Sequence, residues 1–167
     1  MQTLGGVSHE HHDLMWRDVD SLMDLAACLD CDCLDHAELV ARLPQLRDIL
    51  DGLDERLLPH MEAVEAAVYP TLERLVTDRG TTVLMADEHR EIRRLVSALH
   101  AFADDPSAYA DRSGVLALRR IVLRLHALLR THLAEEQLYI PILEDRLTPG
   151  QEAALARALD HLSTERL

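Results

Sequence analysis

Apolar residues recur at spacings of three and four along almost the whole chain, and no stretch alternates with period two for long enough to make a strand. The pattern predicts an all-α protein. A first helix is expected from about Leu4 or Val7 to about Leu29, followed by a short helical piece from Asp35, read as its N-cap, to Leu43. Pro44 either kinks that piece or opens a second long helix over about 44–77, and T-D-R-G at 77–80 is a turn with a glycine stop. A third helix is expected over about 81–103, then the loop A-D-D-P-S, then a fourth helix over about 113–146. T-P-G-Q at 148–151 reads as N-cap, proline at N1 and glutamine at N3 of a short fifth helix. Four long helices joined by short links imply an up-down-up-down four-helix bundle, with the short C-terminal fifth helix closing the chain.

A weak internal repeat runs through this pattern. E-A-A-V-Y-P-T-L-E at 65–73 and E-Q-L-Y-I-P-I-L-E at 136–144 share the frame E-x-x-x-x-P-x-L-E on the second and fourth helices. D-E-H-R-E-I at 87–92 on the third helix resembles H-E-H-H-D-L at 9–14 on the first, so the bundle reads as two related helical hairpins.

Composition narrows the class. At 167 residues the chain suits one domain, 1–167, with a single core. Aromatic residues make up only 3%, against 48% hydrophobic residues rich in Leu and Ala, which favours packed helices over a β-sandwich. Seventeen basic against 30 acidic residues, net −13, argue against nucleic acid and against an anionic membrane surface as partners. No run approaches the roughly 18 apolar residues of a membrane span, and the N-terminus lacks the parts of a signal peptide, so a cytoplasmic location is expected. Cys28, Cys31 and Cys33, an odd number interleaved with Asp, make a poor disulfide framework and an incomplete zinc set; they are read as reduced thiols at a helix end.

The candidate chemistry comes from histidines on apolar stripes. At roughly 100° per residue, the apolar residues of the first helix centre on a direction shared by His11, with His12 about 100° away as the second choice. On the fourth helix, His132 and Glu136 both lie within about 40° of the mean apolar direction. His89 lies toward one edge of its apolar face and still reaches the core, and His60 is on the inward side of the second helix. A lone histidine on such a stripe is usually a hydrogen-bonded core residue. Four helices that each contribute an inward histidine, one with a Glu at i+4, point instead to a metal site in the bundle core. A buried carboxylate costs several kcal/mol, roughly, unless it is paired or metal-bound. H-E-x-x-H fails because position 13 is Asp, and no phosphate-binding glycine loop or G-x-S-x-G is present.

Taken together, these residues resemble the hemerythrin-like, or HHE cation-binding, domain family: His, then H-x-x-x-E, then His, then H-x-x-x-E on four successive helices. The resemblance extends from E-H at 10–11 to L-E-D-R-L at 143–147 and includes Tyr69-Pro70 and Tyr139 with Pro141. It implies a non-haem di-iron centre, two Fe bridged by oxo or carboxylate, with His11, His60, His89 and His132 as terminal ligands and Glu136 as a bridging carboxylate. It also implies binding, sensing or reduction of a small diatomic or peroxide ligand such as dioxygen, peroxide or nitric oxide.

The family's second bridging carboxylate falls at Val64, and the nearest glutamate is Glu65. Three accounts stand open: a π-bulge between His60 and Glu65, helped by Pro59, that recruits Glu65 as a ligand; a site with one carboxylate fewer, holding a single metal or an unsymmetrical pair; and a metal-free bundle. The first is preferred. Manganese or zinc is the alternative to iron, and a metal-free or zinc-stabilised interaction module is the alternative function. The oligomeric state is not legible in the sequence.

Overall fold

A computed structural model describes residues 3–29, 36–76, 80, 82–105, 107 and 111–164, without the side chains of 36 and 161–164. Asp35, Cys31, Cys33 and most of the turn at 77–80 therefore lie outside the described residues. The described chain is all-α. Helix α1 spans Leu4–Cys28, α2 His36–Ala41, α6 Val83–Asp104, α7 Arg112–Arg146 and α8 Pro149–Thr164. Between α2 and α6 the second long helix runs through 43–76 as α3 (Leu43–Gly52), a π turn at Leu53–Leu57, α4 (Leu58–Ala63), a second π turn at Val64–Val68, and α5 (Tyr69–Val76). Helix α1 packs against α7 and α3, and α6 against the same two, which closes the up-down-up-down bundle. The fifth helix runs for 16 residues and lies across α1 and α4 at one end. No described helix is long and apolar enough to cross a membrane.

The helix ends follow from local chemistry. Thr3 caps α1 by accepting from the N–H of Gly6 (3.1 Å), and Asp111 caps α7 by accepting from Gly114 (2.8 Å). Thr148 and Gln151 form a reciprocal box at the start of α8: the Thr148 N–H donates to Oε1 of Gln151 (3.0 Å), and the Gln151 N–H donates to Oγ1 of Thr148 (3.4 Å). Pro44 stands in the first turn of α3, where its missing N–H breaks no helical bond. Cys28 ends α1 as a free, half-buried thiol.

The two π turns share a sequence context. Each ends two residues before a proline, Pro59 or Pro70, and each is closed by a bond to the carbonyl five residues back: Leu58 N–H to Leu53 and Tyr69 N–H to Val64. A proline has no N–H for the carbonyl four residues earlier, and its ring crowds that carbonyl; a widened turn relieves both.

Apolar packing divides into two clusters along the bundle. The larger includes Met15, Leu22, Leu53, Met61, Ile92, Leu129 and Leu133; the smaller, at the α8 end, includes Leu4, Val7, Val64, Tyr69, Met85, Leu143 and Leu159. A polar layer lies between them, and it contains the histidines. Within the larger half, Arg56 grips Asp18 through two bonds, Nε to Oδ2 (3.0 Å) and Nη2 to Oδ1 (2.7 Å), over the bare backbone of Gly52. A Cβ at position 52 would meet Nη2 of Arg56 and stand 2.6 Å from Oδ1 of Asp18. Helix propensity alone favours Gly52→Ala by up to about 1 kcal/mol. Because the partly buried ion pair must part to admit the methyl, the expected result is the opposite sign, a loss of about 1–3 kcal/mol in urea unfolding. A stabilised variant would show that the pair relaxes without cost.

Candidate metal centre

Four helices deliver one histidine each to the polar layer: His12 from α1, His60 from α4, His89 from α6 and His132 from α7. All four are shielded from solvent, none more than 2% exposed, and Glu136 beside them is 6% exposed. His132 and Glu136 are one turn apart on α7, so both point the same way. The Glu136 carboxylate lies between two histidine pairs. Its Oε2 is 3.2 Å from Nε2 of His12 and 3.1 Å from Nε2 of His60; its Oε1 is 3.3 Å from Nε2 of His132 and 3.8 Å from Nε2 of His89. Two three-residue donor groups result, His12–His60–Glu136 and His89–His132–Glu136, each with its donor atoms within 4.8 Å of one another.

The second pair is backed by carboxylates. Nδ1 of His89 donates to Oε1 of Glu65 (2.6 Å), and Nδ1 of His132 donates to Oε2 of Glu88 (2.8 Å). With their hydrogens on Nδ1, the neutral rings turn bare Nε2 atoms toward each other at 2.8 Å. Two lone pairs at that distance repel unless a proton or a metal ion lies between them. Two nitrogens bound at about 2.1 Å to one ion and at right angles would be about 3 Å apart, so the spacing fits a shared ion. Glu136 Oε1 is a buried oxygen without a hydrogen bond, which is a second sign of fit to a cation.

The local field agrees. Burial alone would raise the Glu136 carboxyl, but His60, His12 and His132 outweigh it and hold it well below the ordinary range. Burial, reinforced by His132, pushes His89 down to about 4, whereas at His132 the Glu136 and Glu88 carboxylates overcome burial and raise it. Glu65 is also lowered, because Arg93 and His89 outweigh its partial burial. These buried groups thus retain an ionised carboxylate facing imidazole nitrogen, the donor chemistry of a His/carboxylate metal site.

The model of the hemerythrin HHE cation-binding domain matches residues 9–143. The chain belongs to this family. No curated protein and no solved structure matches the chain. The match contains all four histidines and Glu136, so the HHE family's cation-binding character and the two donor groups fall on the same residues.

Of the HHE candidates in the sequence, the structure brings His60, His89, His132 and Glu136 together. It does not bring in His11. His12 takes the place on α1, while His11 turns its Nε2 toward Asp160 of α8 at 3.9 Å. The averaged apolar direction of α1 pointed to His11, yet His12 is the one that is 1% exposed and joins a donor group, whereas the His11 side chain is 18% exposed. Glu65 is likewise outside both donor groups. The chain between His60 and Ala63 is regular α-helix, so Glu65 stands about 140° round from His60 while Val64 stands about 40° away and is buried. The expected bulge between them is displaced to 64–68, and Glu65 serves as the carboxylate behind His89, held in turn by Arg93 Nη1 at 3.0 Å.

That displaced π turn has another consequence. Nine residues of unbroken α-helix would carry Tyr69 to the side opposite His60, and the extra residue of a π turn takes back roughly 100° of that rotation. Tyr69 is buried, stacks on the His89 ring (centroids 5.5 Å apart) and directs its hydroxyl to Nε2 of His89 at 3.3 Å. Burial and then the Glu136 carboxylate push its ionisation upward, so the phenol holds its proton. Sequence reasoning missed Glu88 as well. The available signal was E-H at 88–89, but its use depends on His132 of another helix. A cavity of about 20 Å³, enough for one water-sized molecule, lies beside His12 and His60 and is walled by Ser8, Val64, Tyr69, Tyr139 and Leu159. A larger groove between α5 and α8, lined by Ala66, Ala67, Pro70, Ala154 and Ala158, carries none of the donor residues.

Proposed function

We propose that this chain holds a non-haem centre of two iron ions and binds a small ligand, such as dioxygen, peroxide or nitric oxide, in the bundle core. The observation that carries the reading is the single carboxylate between two histidine pairs, with one oxygen directed at each pair. His12, His60 and Oε2 of Glu136 would hold one ion; His89, His132 and Oε1 would hold the other. Three donors per position leave sites free on each ion, and mixed nitrogen and oxygen donors suit iron or manganese better than a closed zinc site. Bound iron would supply the ligand affinity and the electrons of any redox step. The chain's part is to orient imidazoles through Glu65 and Glu88 and to admit a small molecule beside His12 and His60. It also excludes bulk water with Val64, Val68 and Leu159. Tyr69, which lines that cavity and whose hydroxyl reaches Nε2 of His89, is a proton donor to the layer.

Metal analysis of freshly purified protein, with an optical spectrum, tests this: two irons per chain are expected. Removing them should lower the melting temperature. An ion present at 100 times its Kd adds about 2.7 kcal/mol, which for a chain of this size is on the order of 5–10 °C. Protein that stays iron-free after anaerobic reconstitution with Fe(II), and whose melting temperature does not respond, would overturn the reading in favour of a metal-free interaction module.

A further inference from the structure

We infer that the two metal positions are unequal, and that the one between His89 and His132 fills first and holds its ion more tightly. This inference rests on the metal centre proposed above.

At that position the rings are prepared for a metal before it arrives. Carboxylates only accept, so Glu65 and Glu88 fix the hydrogens of His89 and His132 on Nδ1 and leave both Nε2 atoms without hydrogen, that of His89 within 3.3 Å of the Tyr69 hydroxyl. Negative charge behind each ring also strengthens its donor nitrogen. At the other position the arrangement is reversed. Nδ1 of His12 and Nδ1 of His60 have no hydrogen-bond partner among the described residues. Their Nε2 atoms lie 3.2 and 3.1 Å from Oε2 of Glu136, an acceptor, which draws the ring hydrogens to Nε2, the nitrogens that face the centre. To take an ion, each ring must move its hydrogen to Nδ1, where it becomes a buried N–H with nothing to receive it. Glu88 and Glu136, with Glu65 partly offset by Arg93 at 3.0 Å, compensate the charge of an ion at the first position, whereas Glu136 alone does so at the second.

Titrating the metal-free chain with Co(II), followed by visible absorption and calorimetry, should show two steps separated by at least about 10-fold in affinity. Repulsion between two dications would also separate the steps, but it predicts no dependence on Glu65 or Glu88. Glu65→Gln and Glu88→Gln, which keep an acceptor of the same shape but remove the charge, should each weaken binding at the His89–His132 position by about 10–100-fold, so that the two steps close up or exchange order, and leave the affinity of the His12–His60 position as it is. The unchanged affinity of the His12–His60 position serves as the folding control. Two equivalents taken up with one affinity by the parent chain, or variants that weaken both positions alike or neither, overturn the inequality and leave the metal centre standing. A chain that takes up neither Co(II) nor Fe(II) overturns the metal centre itself.

Discussion

Glu136→Gln is expected to abolish stoichiometric metal binding at both positions while the bundle stays folded. The substitution preserves volume at a site 6% exposed, so the packing of Leu129, Leu133 and Leu143 along the same helix is undisturbed. What it removes is the only carboxylate common to both donor groups. A dication in a water-poor core needs compensating negative charge close by, and an amide supplies none. Changes to groups that merely back a ligand cost about 10–100-fold in affinity, so loss of this shared ligand should exceed about 100-fold at each position. Iron content per chain, measured with circular dichroism as the check on folding, reads the result. Parental iron content in the variant would remove Glu136 from the site.

Val64→Glu should split the behaviour of the metal-free and metal-loaded protein. Val64 is 4% exposed, borders the cavity beside His12 and His60, and stands on the inward side of the helix where the family frame has a carboxylate. In the metal-free chain a second carboxylate enters an apolar wall made with Val68 and Leu159, at a cost of several kcal/mol, roughly, whether it ionises there or takes up a proton. With metal bound, the same oxygens lie next to a cation. The expected result is a melting temperature well below the parent's without metal and a larger rise on adding metal than the parent shows. Equal destabilisation with and without metal would mean that position 64 does not face the ions, and that the His12–His60 position lies elsewhere than its donor atoms indicate.

These two variants bracket the way this chain departs from the H-x-x-x-E frame of its family. The second helix offers Val64 inward and Glu65 sideways, and the structure uses both as they stand: Val64 as wall, Glu65 as the anion behind His89. One carboxylate, Glu136, is then left between the two histidine pairs, and the pairs differ in what stands behind their imidazoles.

Periodicity alone was enough for the all-α bundle, its four long helices and the capping of the last one, because spacing of apolar residues and the chemistry of caps act within one helix. The same rule marks His60, His89, His132 and Glu136 as inward, since each shares a stripe with residues such as Leu57, Ile92 and Leu129 that are 0–1% exposed in the folded chain. On α1 it selected His11, whereas the folded chain turns His12 into the layer: α8 covers one side of that helix and brings Asp160 to His11. The rule could not place Glu65, Glu88 or Tyr69, whose partners His89 and His132 lie on other helices. A sequence pattern specifies an angle about one helix axis. Which donor meets which acceptor depends on how several axes are set against each other and on where prolines widen a turn, and only the packed bundle decides that.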